Sequence, residues 1–250
     1  MSATAILQTR GVTKRFGNFV ANDDITVSLE PGRLTAIIGP NGAGKSTFFN
    51  MISGGLAPTS GEIVFNGKSL IGLRSHEFAK VGISKSFQIT NLFPALSVLE
   101  NVRVAVQCQD RTYDLWTPRS RHTEWVAKAE ALLELVGLQD KRHAAADSLA
   151  HGEQRSLEIA VALASDPRLL LLDEPTAGMS PEETRAIMDL ILKLLESRTI
   201  GLVEHKMKLV MGVSDSIIVL HQGSLLVQGR PDDIRANEDV RRVYLGKGNH

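Results

Sequence analysis

Along the 250-residue chain, apolar positions follow three successive patterns. From Ala5 to about Leu70 they come in short runs, at residues 27–29, 34–38 and 62–65, separated by the turn signals Glu30-Pro31-Gly32 and Pro58-Thr59-Ser60-Gly61. Short apolar runs bounded by Gly and Pro predict strands. From about Ile89 to Ser165 the spacing becomes helical: Trp125, Ala129, Leu132, Leu133, Leu135 and Val136 recur on one face and stop at Gly137, a C-cap residue. Residues 149–164 predict a second helix, and the polar stretch 107–122 predicts a surface loop whose arginines face solvent or acidic lipid headgroups. From Leu169 onward, apolar runs at 169–172, 200–203 and 217–220 alternate with helical segments, the pattern of a parallel sheet buried on both faces.

Composition narrows the class. A hydrophobic content of 43% and a charged content of 22% fit a globular α/β protein with ample core. The N-terminus lacks a basic stretch followed by a sustained apolar segment, and no apolar run approaches the ~18 residues that cross a bilayer, so any membrane role is expected to be peripheral. A formal net charge of zero and only 5% aromatic residues argue against a nucleic-acid partner. The lone Cys108 gives no disulfide framework within one chain and suits a reducing compartment.

The candidate chemistry begins at Gly39-Pro40-Asn41-Gly42-Ala43-Gly44-Lys45-Ser46-Thr47, directly after the apolar run at 34–38. This fits G-x-x-x-x-G-K-[ST], the phosphate-binding loop, between a strand and a helix as that motif requires. The glycines let several backbone N–H groups converge on one anion, and the helix starting near Lys45 adds the positive end of its dipole. Lys45 can reach the β- and γ-phosphates of a nucleoside triphosphate, and the Ser46 hydroxyl can ligate Mg²⁺. Downstream, Leu169-Leu170-Leu171-Leu172-Asp173-Glu174 reads as a buried strand ending in two carboxylates. Asp173 is assigned to the metal shell and Glu174 to the attacking water, as general base or orienting group. No Asn-Lys-x-Asp guanine-reading motif is present.

With these residues in place the sequence resembles the nucleotide-binding subunits of ABC transporters over nearly its whole length. The order of elements matches: phosphate loop, a glutamine loop at Gln88, a signature segment at Leu149-Ala150-His151-Gly152-Glu153-Gln154, the strand with Asp173 and Glu174, a D-loop at Ala177-Gly178-Met179-Ser180-Pro181, and a switch histidine at His205. The resemblance implies an α/β fold: a P-loop NTPase (RecA-like) core with a mainly parallel sheet, an N-terminal antiparallel β subdomain and an inserted helical subdomain. The core would span about 5–88 and 166–250, and the helical part about 89–165. It further implies ATP and Mg²⁺ as ligands, Phe16 stacked on the adenine (or a plain core position), Gln88 on Mg²⁺, and His205 on the γ-phosphate. Ala150, His151, Gly152 and Glu153 would address nucleotide held by a second, identical or homologous, ATPase subunit. The common family signature is Leu-Ser-Gly-Gly-Gln, so Ala150 lacks the usual hydroxyl, a hydrogen bond worth about 1.5–3 kcal/mol when made to a charged group.

Residues 149–160, the run Glu204-His205-Lys206-Met207-Lys208-Leu209-Val210-Met211 and the tail Val243-Tyr244-Leu245-Gly246 are similar to the ATPases of branched-chain amino-acid importers. That likeness implies integral membrane permease partners, a periplasmic or extracellular substrate-binding protein acting through them, and a place on the cytoplasmic face of the membrane. Urea or amide importer ATPases and lipopolysaccharide-export ATPases carry similar motifs. A soluble ABC ATPase acting on ribosomes or DNA is a further alternative. Lys206 stands where the family usually has aspartate.

Overall fold

The computed structural model describes residues 5–86, 92–109 and 123–245. In chain order the elements are β1 (Leu7–Phe16), β2 (Phe19–Leu29), β3 (Leu34–Ile38), α1 (Lys45–Ile52), β4 (Ser60–Phe65), β5 (Lys68–Ser69), α2 (Ser75–Val81), β6 (Ile83–Ser86), α3 (Val98–Gln107) and α4 (Thr123–Leu135). They continue with α5 (His151–Leu163), β7 (Leu169–Asp173), α6 (Pro181–Leu195), β8 (Thr199–Val203), α7 (Met207–Val213), β9 (Ser216–His221), β10 (Ser224–Gly229), α8 (Pro231–Ala236) and α9 (Glu238–Leu245).

Two sheets form. A four-stranded antiparallel sheet has the order β2-β1-β4-β5, and a six-stranded sheet has the order β10-β9-β3-β8-β7-β6. In the larger sheet β9, β3, β8, β7 and β6 run parallel, with β10 antiparallel at the edge. The inner parallel strands β3, β7, β8 and β9 read as largely apolar runs because both faces are covered, whereas β6 at the edge is Ile83-Ser84-Lys85-Ser86. Along β7, Leu169 and Leu171 pack with Phe48, Phe49 and Ile52 of α1 and with Leu7, Ile25 and Phe65 of the antiparallel sheet. Leu170 and Leu172 point the other way, to Val102 of α3, Leu133 of α4, Leu157 of α5 and Ile191 of α6. The period of two along a strand thus makes β7 the common wall of two cores. A third cluster, Ala36, Ile38, Ile217, Val219, Val210, Ile234 and Val240, seals the C-terminal helices.

The patterning predicts these elements with two notable differences. The helix expected from Trp125 ends as anticipated: Gly137 is left-handed (φ 75°), its N–H reaches Glu134, and the Leu138 N–H reaches Leu133 at 2.8 Å. The second helix begins two residues later than expected, at His151, because Leu149 is buried as the chain enters and Ala150 is the extended N-cap. The first two strands, by contrast, are 10 and 11 residues long, where apolar patterning shows only residues 27–29. Their faces hold buried polar residues: Thr9 accepts the Val27 N–H at 3.1 Å and donates to the Ile25 carbonyl at 3.0 Å. Register shifts between Thr9 and Val12 further blur the alternation. Of the expected loop at 107–122, residues 110–122 lie outside the described residues.

Candidate functional site

Strand β3 delivers the chain to Gly39, where no larger residue fits: a Cβ would stand 2.3 Å from the Leu220 carbonyl oxygen and 2.9 Å from Ala43. Gly44, the N-cap of α1, is left-handed at φ 92° and so close to its surroundings that a Cβ would meet Asn22 at 2.4 Å and the Ala21 carbonyl at 2.6 Å. The loop is braced within by the Ala43 N–H to the Pro40 carbonyl at 3.1 Å and pinned from outside by the Gly223 N–H to the Ala43 carbonyl at 3.1 Å. Asn22 donates to the Gly44 carbonyl at 3.2 Å. Helix α1 has no acidic residue in its first turn and no side-chain cap, so its amides and dipole face the open cleft. The cleft has a volume of about 390 Å³ and is lined by Phe19, Ala21, residues 41–47 and Glu174.

Lys45 is buried with its ammonium donating to the Gly39 carbonyl at 2.8 Å and the Pro40 carbonyl at 3.1 Å. Burial pulls its pKa below the ordinary lysine value, and the charges of Glu174 and Asp173 oppose that pull. Both carboxylates therefore act on the ammonium electrostatically. Asp173 is only 4% exposed, ends β7, and lies 3.4 Å from Lys85 Nζ. Lys85 in turn donates to Asn50 at 2.8 Å and sits 4.9 Å from the Phe49 ring centroid. The Asp173 carbonyl accepts from Arg155 of α5 at 2.6 Å. Glu174 leaves the strand through a left-handed turn, φ 44°. Its N–H is bonded to Val203 of β8 at 2.9 Å, and its carboxylate Oε2 stands 4.0 Å from His205 Nδ1. The structure thus brings Lys45, Ser46 and Glu174 to one cleft, with Asp173 lining the neighbouring cavity beside Glu174 and His205 4.0 Å from the Glu174 carboxylate.

Hydroxyl and carboxylate oxygens are the hard donors that Mg²⁺ takes, and Ser46 with Asp173 supplies two of them. Among the described residues no group of three or more His, Cys, Asp or Glu could hold a metal ion. This donor set therefore suits an ion that arrives with phosphate and water ligands rather than one caged by protein.

The signature segment lies elsewhere. Among the described residues that line the phosphate cleft, none belongs to 150–153. His151 Nε2 is 3.2 Å from the Ala177 carbonyl of the D-loop, and His151 shares a neighbouring cavity with Asp173, Glu174 and Met179. The Gly152 N–H donates to the Glu183 carboxylate at 3.1 Å. Ala150 offers no side-chain cap; its own N–H is bonded to Glu153 at 3.1 Å, and Glu153 is held on its other oxygen by Lys141 at 2.6 Å. That ammonium, with the Ala150 amide, keeps the Glu153 carboxyl below the usual range.

Phe16 and Phe19 face each other across the tip of the β1–β2 hairpin, 50% and 67% exposed. Phe16 carries the Lys14 ammonium 5.3 Å from its ring centroid, and Phe19 is the aromatic that lines the cleft. Phe16 is thus not a core residue. Gln88 lies outside the described residues. Sequence reasoning missed Phe19, Glu183, Lys85, Glu204 and Thr176; the first could have been found from the hairpin turn at Gly17, the others only through the fold.

A glycine-pinned anion loop between a parallel strand and a helix, faced by two carboxylates at the end of a strand in the same sheet, defines a P-loop nucleotide triphosphatase. Within that class the chain belongs to the ABC transporter family, whose model matches residues 22–177, and its members' ATP-binding subunits are ATPases. A second model, described as the branched-chain amino acid ATP-binding cassette transporter, matches residues 224–250. The chain is 41% identical to the high-affinity branched-chain amino acid transport ATP-binding protein LivG of Escherichia coli K12, covering 97% of this chain and 98% of the relative. It is equally similar, 41% with the same coverage, to the protein BraF of Pseudomonas aeruginosa, which carries the same description. Among solved structures it resembles the ADP conformation of MJ1267, an ATP-binding cassette of an ABC transporter, with a TM-score of 0.88 at 30% identity, covering 98% of this chain and 100% of that one. It also resembles the dimeric post-hydrolysis state of MJ0796 bound to ADP and Pi, with a TM-score of 0.77 at 28% identity, covering 90% and 98%.

Proposed function

We propose that this chain is the ATP-hydrolysing subunit of an importer of branched-chain amino acids. The observation that carries the reading is the near-full-length identity to LivG and BraF, together with the separate match of residues 224–250 to the branched-chain cassette model. In this reading the core spans about 5–88 and 166–250 and the helical subdomain about 89–165. The chain sits on the cytoplasmic face of the membrane, paired with an identical or homologous ATPase and seated on integral permease subunits. A periplasmic or extracellular substrate-binding protein acts through those permeases. No described helix is long and apolar enough to cross a membrane.

The site chemistry follows from the arrangement. The amides of 41–47 and the Lys45 ammonium hold the β- and γ-phosphates, exchanging the Gly39 and Pro40 carbonyls for phosphate oxygens. Ser46 and Asp173, with Gln88 as the resemblance implies, would hold Mg²⁺, which would neutralise phosphate charge. Glu174 orients the attacking water and accepts its proton, and His205, 4.0 Å from Glu174, contacts the γ-phosphate. The adenine rests on the hairpin-tip aromatics, Phe16 as the resemblance implies and Phe19 as the cleft lining favours. Residues 150–153 lie outside this cleft, which supports their completing a partner's site when two subunits close.

The test is uptake of radiolabelled leucine, isoleucine and valine by cells lacking this chain and complemented with either wild type or Glu174→Gln. Restoration by wild type alone is the expected result. Restored growth with no change in branched-chain uptake, or recovery of urea, amide or lipopolysaccharide traffic instead, would overturn the substrate assignment.

A further inference from the structure

The segment bearing His205 is anchored on both sides of that residue, and both anchors reach the same target. Glu204 is fully buried at 0% exposure. One of its oxygens accepts the Thr176 hydroxyl at 2.7 Å and the Thr176 N–H at 3.1 Å, and the other accepts the His205 N–H at 3.2 Å. From the far side of His205, the Lys206 ammonium donates to the Thr176 carbonyl at 3.0 Å. Thr176 is itself completely buried and stands two residues after Glu174, at the far end of the left-handed turn. Its N–H, hydroxyl and carbonyl are thus all taken by the two neighbours of His205.

A carboxylate is a costly group to bury, and this one directly follows a strand, Thr199–Val203, that is buried throughout. What Glu204 adds over a hydrophobic residue is direction: it accepts from one loop and from the other at fixed angles. It also stands near the imidazole, 4.0 Å from His205 Nδ1, as Glu174 does. The residue in the position where aspartate is usual, Lys206, makes the second half of the same grip.

We propose that Glu204, assisted by Lys206, is a positioning residue: by clamping Thr176 it sets His205 against Glu174 and so fixes the geometry of water attack. This rests on the reading of Glu174 and His205 as the hydrolytic pair. Neither Glu204 nor Lys206 lines the phosphate cleft; they act through the loops they join.

The test is steady-state ATPase activity of the purified full chain with Mg-ATP, resolved into kcat and KM and accompanied by thermal melts. Glu204→Gln keeps the size but turns one acceptor into a donor, so one of the three bonds is lost. Thr176→Val removes the hydroxyl without changing shape, and Thr176→Ser restores it. Misplacement by a fraction of an ångström predicts a fall in kcat of about tenfold or more for Glu204→Gln and Thr176→Val, with Thr176→Ser near wild type. KM for ATP should stay within about twofold, since phosphate binding is built by the 39–47 loop. On a His205→Ala background, Glu204→Gln should cause no further loss, because both changes disable the same contact. A lowered melting temperature with unchanged kcat, or an equal further fall on the His205→Ala background, would overturn the proposal. If His205→Ala itself leaves kcat at the wild-type level, the reading of the site fails and the clamp falls with it. If His205→Ala is impaired while Glu204→Gln is not, the clamp alone is wrong.

Discussion

Helices α1 and α5 both begin at glycine-bearing turns that sequence motifs mark as anion sites, yet they treat their first amides differently. At α1 the turn is enforced by backbone: Gly44 is left-handed against Ala21 and Asn22, no side chain caps the helix, and the amides open onto the cleft. At α5 the amides are already engaged by the chain's own carboxylates, Ala150 by Glu153 and Gly152 by Glu183. A phosphate arriving at the first meets an empty cradle. At the second it must compete with a carboxylate that Ser180 also holds, through its N–H at 3.0 Å. The two helix starts are therefore unequal in kind: no side chain caps α1, whereas the first amides of α5 are taken by the chain's own carboxylates.

The sharpest test of that inequality is the same substitution at both helices. Gly44→Ala forces a Cβ into backbone at a left-handed position, which costs about 1–3 kcal/mol of strain. It should lower the melting temperature by several degrees and weaken ATP binding more than about tenfold, read by calorimetry and titration. Next in size, Lys45→Ala removes charge-assisted bonds worth about 1.5–3 kcal/mol, so ATP affinity should fall roughly tenfold to a hundredfold while the fold stays intact. Ala150→Ser comes third. Ala150 already has extended N-cap geometry, and a serine there adds about 1 kcal/mol of helix stability. Its expected readouts are a melting temperature raised by about 2–4 °C and stronger ATP-dependent pairing of Glu174→Gln protein on size exclusion.

Gly152→Ala should be nearly silent in a melt, within about 2 °C of wild type. Its Cβ would meet the Glu183 side chain, Oε1 at 3.1 Å, Cγ at 3.2 Å and Cβ at 3.4 Å, contacts that small side-chain shifts relieve. A collapse comparable to that of Gly44→Ala would break the comparison. The smallest effect is acid dependence. Glu183 and Glu153 are held below the ordinary carboxyl value of 4.5, Glu183 first by the Ser180 amide and Glu153 first by Lys141. Their contribution is present above that value and lost as pH falls through the folded-state value. The Glu153→Gln, Glu183→Gln double variant should therefore lose less melting temperature than wild type between about pH 5 and pH 3.

What the chain disclosed in advance was whatever sits on contiguous residues. The phosphate loop needs nine adjacent positions, β7 is a single apolar run, and Gly137 marks its own helix end. The long first strands stayed hidden because Thr9 and Thr13 are buried polar residues satisfied across the sheet, which apolar alternation cannot register. The occupancy of the signature amides depends on Glu183, 31 residues from Gly152, and the grip on Thr176 comes from 28 and 30 residues away. The cleft aromatic depends on hairpin register, which pairs Phe16 with Phe19 but gives the cleft to the second. Lys206 departs from the family motif in sequence, and only the fold brings its ammonium to the Thr176 carbonyl.

The left-handed backbone of Glu174 has a consequence for how this protein would fare under artificial selection. Glycine occupies that region with less strain than glutamate, although Asp24, Asn66, Asp166 and Gln222 share it in this chain. A screen that rewards yield or solubility should drift toward Glu174→Gly, and, on the role proposed above, the winners would turn over ATP poorly. On the role proposed for Glu174, a library filtered for robustness alone would therefore erase the trait it was built to preserve.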